Sequence, residues 1–160
     1  MPIYMKIDGI KGQVQTTGFA DQIAIESLSW GTSRNVSSFT GTAREVSSPN
    51  FSEVSCMKMF DSSSQAIFRN AMFGDPLPEV VISFVRDKGQ GEVEAYLETT
   101  LKNVLVTSYQ VSHSSGQDAP AESFSLNFTV ISNHQTWRGG DYGSGGEDDA
   151  SYDMGTMAPA

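Results

Sequence analysis

Between Glu122 and Val130 apolar and polar side chains alternate without a break. Phe124, Leu126, Phe128 and Val130 hold one parity, and Ser123, Ser125, Asn127 and Thr129 hold the other. A β-strand turns successive side chains to opposite faces, so this segment is a strand with one dry face and one wet face. The wet parity carries hydroxyls and amides, and no charge stands between Ser123 and Ile131. Edge strands commonly use charge to prevent pairing with other chains. A neutral polar face points to a surface that meets another protein, or that lines a passage without gripping its contents. It points away from a catalytic pocket.

The chain of 160 residues is the size of one domain with a real hydrophobic core. A net charge of -9, with no cluster of Lys or Arg, argues against nucleic-acid binding. Cys56 is the only cysteine, which excludes an intramolecular disulfide and a zinc ribbon. The first residues lack the basic and apolar regions of a signal peptide and read as a strand. No apolar run reaches the roughly 20 residues that span a bilayer, so no membrane insertion is expected. The expectation is a protein made soluble in a reducing cytoplasm, exported, if at all, without a cleavable signal.

Residues 3–7 form a first short strand, closed by Asp8-Gly9 and Lys11-Gly12. In residues 22–30 the alternation slips: Ile23 and Ile25 share one parity, Leu28 and Trp30 the other. A β-bulge near Glu26-Ser27 would return both pairs to the core. Residues 32–50 are rich in Ser, Thr, Gly and Asn and read as an extended loop or hairpin, long enough to be functional. Residues 51–60 return to strand. Asp61-Ser62-Ser63-Ser64 supplies cap chemistry for a helix over 65–73, with Gly74 as its C′ residue and Pro76 forbidding continuation. Strands are expected over 78–86, 92–97, 99–111 and 122–130. The fold class is therefore mainly β, a compact two-sheet barrel or sandwich with one α-helix packed alongside. From Asn133 onward Gly, Asp, Ser and Ala dominate, so residues 1–132 are read as the domain and 133–160 as a flexible tail. Trp137, Tyr142 and Tyr152 are the tail residues able to dock on a neighbour.

No catalytic, cofactor or metal constellation emerges. His113 and His134 have no second His or Cys at ligand spacing, and surface polarity explains them better than zinc. Cys56 at a strand position reads as a small buried hydrophobe. Asp141, Glu147, Asp148, Asp149 and Asp153 lack the spacing of a calcium loop. The glycines at 89 and 91 and at 139–143 do not form a dinucleotide fingerprint. Glu92 and Glu94 share one strand face, as in a glycoside hydrolase pair, but a solvated strand face accounts for them. Ser62 to Ser64 is explained by helix capping.

Taken in order, the segments resemble the hemolysin-coregulated protein (Hcp) family, the tube subunit of the type VI secretion system. The resemblance covers about residues 3–131. It rests on Ile7-Asp8-Gly9-Ile10-Lys11-Gly12, on Leu28-Ser29-Trp30-Gly31 and on Phe60-Asp61-Ser62-Ser63-Ser64. It rests above all on Val93-Glu94-Ala95-Tyr96-Leu97, then Leu101-Lys102-Asn103-Val104-Leu105-Val106, then Glu122-Ser123-Phe124-Ser125-Leu126-Asn127-Phe128. Gln65 stands where the family has Pro after Ser64, and the acidic C-terminal segment has no matched counterpart.

The resemblance implies a homohexameric ring, rings stacked into a hollow tube, and a contractile sheath around it. It implies a spike protein (VgrG-like) at the tip, effector cargo in the lumen, and secretion of the tube protein itself. No cofactor is implied. The long loop over 32–50 would reach the neighbouring ring, and Arg34, Phe39 and Arg44 are its large side chains expected to anchor stacking. Ser29 would face the lumen and contact cargo, with Trp30 turned into the core. The competing expectation is a monomeric β-sandwich module binding a carbohydrate or protein ligand. An effector enzyme would need a further folded domain, for which residues 133–160 are too short and polar.

Overall fold

The computed structural model of Met1–Ala160 describes residues 1–37, 46–139 and 145–160. Strand β1 (Ile3–Ile7) buries Met5 and Ile7. Strands β2 (Ile23–Ile25) and β3 (Ser27–Ser29) are separated only by Glu26, yet they pair differently: β2 with β1, and β3 with residues 55–57. The slip at Glu26-Ser27 is therefore a crossing between two layers and not a bulge within one strand. The Glu26 N–H donates to the Met57 carbonyl at 2.8 Å and fixes the crossing. Ile23 and Ile25 on one side, and Leu28 and Trp30 on the other, pack against the same core.

Strands β4 (Thr32–Ser33) and β5 (Asn50–Phe51) pair, and Val36 bridges Val46, so the described ends of the long loop form a hairpin. Strand β6 (Val54–Met59) leads to helix α1 (Ser64–Phe73). The helix ends depart from expectation. Ser63 makes no side-chain cap; instead Asp61 Oδ1 accepts the Ser63 N–H at 2.8 Å. Gly74 leaves in extended backbone (φ -74°, ψ 148°), so Pro76 and the turn into the next strand end the helix without a left-handed cap.

Strands β7 (Leu77–Gly89) and β8 (Glu92–Ser112) form the long central hairpin. Its turn uses φ of 94°, 57° and 79° at Gly89, Gln90 and Gly91. The two strands expected over 92–111 are one. Leu101 and Val104 are both fully buried although three apart, because Asn103 takes φ 53° and resets the alternation. At that point β8 passes from one layer to the other. Its first part pairs with β7 and with β10 (Val130–Arg138); its last part pairs with β9 (Ala121–Asn127).

The path β2-β1-β7-β8-β9-β6-β3 makes two layers around a core of Ile, Val, Leu and Phe, and they do not close into a barrel. Strand β11 (Gly145–Asp153) pairs along the whole of β10. The boundary expected at residue 132 thus falls inside β10, and the described part of 133–160 is a hairpin rather than a free tail. Its order comes from the backbone ladder and from Tyr152, whose ring lies 5.5 Å from Phe51. Trp137 covers Gly146, where a Cβ would meet the indole at 2.5 Å. An estimate from side-chain apolarity alone misses both.

Candidate assembly surface

Strands β3, β6, β9 and the last part of β8 form a four-stranded sheet in that order. Val54, Cys56, Phe124, Leu126 and Val106 turn inward and are buried. The outward parity is uncharged across all four strands and mostly Ser, Asn and Gln, with Met57, Met59 and Leu105 among them. Ser29 faces Ser55, Ser55 faces Ser125, and Ser125 faces Ser108, so one row of four serines crosses the sheet. The next row is Ser27, Met57, Ser123 and Gln110. The sequence pattern exposed only the β9 share of this face; the register assembles the rest. Both borders of the sheet are open: among the described residues β3 pairs only with β6, and residues 105–112 of β8 pair only with β9.

Beneath this face lies a cluster that reading the sequence missed. Lys58 and Glu122 are directly opposite on β6 and β9, both 0% exposed, with Nζ 2.7 Å from Oε2. Lys58 also donates to Asp61 Oδ1 at 2.8 Å and to the Met59 carbonyl at 3.0 Å. Ser64, in the first turn of α1, donates to Glu122 Oε2 at 2.7 Å and accepts the Asp61 N–H at 2.9 Å. Tyr109 donates to the other Glu122 oxygen. Each buried polar group therefore has partners, and the network ties α1 to β6, β8 and β9. Burial works against the Asp61 carboxylate, but the hydrogen bond from Lys58, then those from Ser63, hold its pKa below the usual value. Burial and then the Glu122 bond push the Tyr109 phenol upward. The signal was in the parity: Glu122 shares the face of Phe124 and Leu126, and Lys58 that of Val54 and Cys56.

The expected site residues are scattered. Ser29 is exposed on the neutral face, and Trp30 packs inward beside it. Arg34 is exposed just beyond β4. Phe39 and Arg44 lie outside the described residues. Cys56 is 3% exposed, and burial pushes its thiol up to about 12. Glu94 does not pair with Glu92; it accepts from Arg86 Nε at 2.8 Å and from Arg138 at 2.7 Å, and the Arg86 bond foremost lowers its pKa.

Residues 4–134 match the family described as "Type VI secretion system effector, Hcp". The chain belongs to the Hcp family, whose members are effector and tube proteins of the type VI secretion system. It is 28% identical over 129 residues to "Protein hcp1" of Pseudomonas aeruginosa, covering 81% of this chain and 79% of that protein. Among solved structures, one described as a type six secretion system protein superposes with a TM-score of 0.91 at 19% identity, covering 99% of both chains. Hcp1 from Salmonella typhimurium gives 0.78 at 19% identity, with 99% of this chain and 98% of that one covered. These likenesses show the fold.

Proposed function

We propose that this chain is a structural subunit of the type VI inner tube and not an enzyme. Six copies close into a ring, and rings stack into a hollow tube inside a contractile sheath, with a spike protein at its tip. Sheath contraction drives the tube out of the cell, so the protein is itself secreted. The observation that carries this reading is the neutral sheet with two open borders. Unpaired strand edges are a template for pairing with another chain. Here the free edges of β3 and β8 lie on opposite sides of one sheet, so pairing is head-to-tail and closes by rotation. The serine row then faces the lumen, with Ser29 at its border. Small hydroxyls adhere weakly to what passes, and Met57 beside them offers an adaptable apolar contact to effector cargo.

Light scattering on the purified protein is expected to give a hexamer, and electron microscopy rings or tubes. A monomer at high concentration in mild buffer would refute the reading and favour a monomeric binding module. For stacking, Arg34, Phe39 and Arg44 remain the proposed anchors of the loop over 32–50. Phe39→Ala with Arg44→Ala is expected to leave hexamers that no longer stack. Tubes as long as the parent's would remove that assignment.

A further inference from the structure

The two flanks of the neutral sheet differ in relief. Helix α1 runs along the free-edge part of β8, where the Phe68 and Tyr109 rings lie 5.2 Å apart. Its outward side leaves Met72 at 55% and Phe73 at 74% exposed. Phe73 projects from the last turn, the most exposed aromatic side chain among the described residues. Single exposed apolar groups are ordinary, but Phe68, Met72 and Phe73 adjoin one another on one short helix beside an open strand edge.

The opposite flank is concave. Trp30, Phe51, Ile131, Ala150 and Tyr152 line a groove of about 150 Å³ at the end of β3, where the β10–β11 hairpin meets β5. A cavity of roughly that volume accommodates a benzene ring. Trp30 places this groove at the β3 border of the sheet, and the Phe68–Tyr109 contact places α1 against its β8 border.

Charge follows the same division. Arg69 lies four residues before Phe73, on the same helical face, and makes no ion pair among the described residues. Asp148 shares the strand face of Ala150 and Tyr152 on β11, whereas Asp149, bound to His134, and Asp153 hold the opposite face. A basic, aromatic knob thus sits on one flank, and on the other an aromatic-lined hole with Asp148 further along the same strand face.

We infer that Phe73 of one copy inserts into the Trp30–Tyr152 groove of the next, with Arg69 against Asp148. This assigns the occupant of each flank as a second copy of the same chain. It rests on the ring proposed above and specifies the contact that fixes its direction. A knob and hole on different flanks make a heterologous contact that propagates around a ring, whereas a two-fold dimer would require both knob–hole pairs to meet at once across a single face.

The test uses the full chain with cysteines at Met72→Cys, beside an intact Phe73, and Ala150→Cys, both exposed positions, treated with a short bismaleimide. Buried Cys56 serves as the silent internal control. Denaturing gels are expected to show a ladder of covalent multimers up to the ring size for the double variant. Neither single variant should give the ladder. Phe73→Ser is expected to lower the hexamer fraction at least tenfold at fixed concentration while its circular dichroism and melting curve stay with the parent's. Rings that persist in Phe73→Ser, or hexamers of the double variant that yield no ladder, would overturn the inference while leaving the tube reading intact. A monomeric parent would overturn both.

Discussion

Lys58–Glu122 and His134–Asp149 are both cross-strand ion pairs between directly opposed residues, at 2.7 Å and 2.6 Å. The first is sealed between sheet and helix, with both side chains 0% exposed; the second lies on the outer hairpin at 40% and 76%. Register alone therefore does not set what such a pair is worth. In the interior, each ion has lost its water and depends on its partner, so removing one leaves an uncompensated charge. On the hairpin, solvent replaces a lost partner at once, and an exposed pair contributes little. The buried pair specifies how α1 sits on the sheet, and the exposed one adjusts how tightly a border strand closes.

The largest predicted effect breaks the buried pair on one side only. Glu122→Ala is expected to cost about 3–5 kcal/mol, because it leaves buried Lys58 with only Asp61 as a charged partner and strips Ser64 and Tyr109 of their carboxylate acceptor. For a chain of this size that lowers Tm by on the order of 10 °C. The double variant Lys58→Met, Glu122→Leu removes both charges and is expected to recover most of that loss in the same melting assay. If the double variant melts as low as the single, the pair is supporting stability directly and the contrast with the hairpin weakens.

Two smaller changes sharpen the same contrast. Tyr109→Phe removes one of the bonds to Glu122 but leaves Lys58 and Ser64 in place. It is expected to cost about 1–2 kcal/mol in denaturant unfolding, since the bond goes to a charged acceptor but the ring is partly exposed. Asp61 gives the pH signature. Its pKa is lowered in the folded chain, so its contribution is present above the unfolded value near 3.8 and disappears as pH falls through the lower folded one. Asp61→Asn is expected to flatten the dependence of Tm on pH below that value. An unchanged slope would remove Asp61 from the network's energetics.

These pairs also mark what the sequence made legible. The parity of Phe124, Leu126 and Phe128 located the dry face of β9, and the slip after Ile25 correctly flagged a discontinuity before Leu28. Local patterning reports which way a side chain points. It does not report which strand lies opposite, so neither the serine row from Ser29 to Ser108 nor the Lys58–Glu122 pairing could be read before the register was known. Glu122 opens the strand as a charged residue, and its parity places it with the core. The hairpin after Asn133 failed for another reason: Glu147 to Ala150 bury almost nothing and are ordered through backbone bonds to β10.

The smallest predicted effect tests the exposed member of the comparison. His134 faces Asp149 on β11 and Glu98 on β8, with Glu147 two residues away along β11. The hydrogen bond to Asp149 foremost, and then the charges of Asp149, Glu147 and Glu98, raise its pKa above 6.5. A raised folded value means that the pair's contribution is complete below 6.5 and is lost as pH climbs through the folded midpoint. Global melting should barely register it. Amide exchange along β11 is expected to quicken between pH 6 and 8 beyond the intrinsic pH effect, and Asp149→Asn should abolish that excess. The imidazole midpoint, followed by NMR, should fall in Asp149→Asn but stay somewhat elevated, because Glu98 and Glu147 remain. If instead global Tm moves as strongly with His134 as with Glu122, burial is not what separates the two pairs, and the hairpin is an integral part of the core.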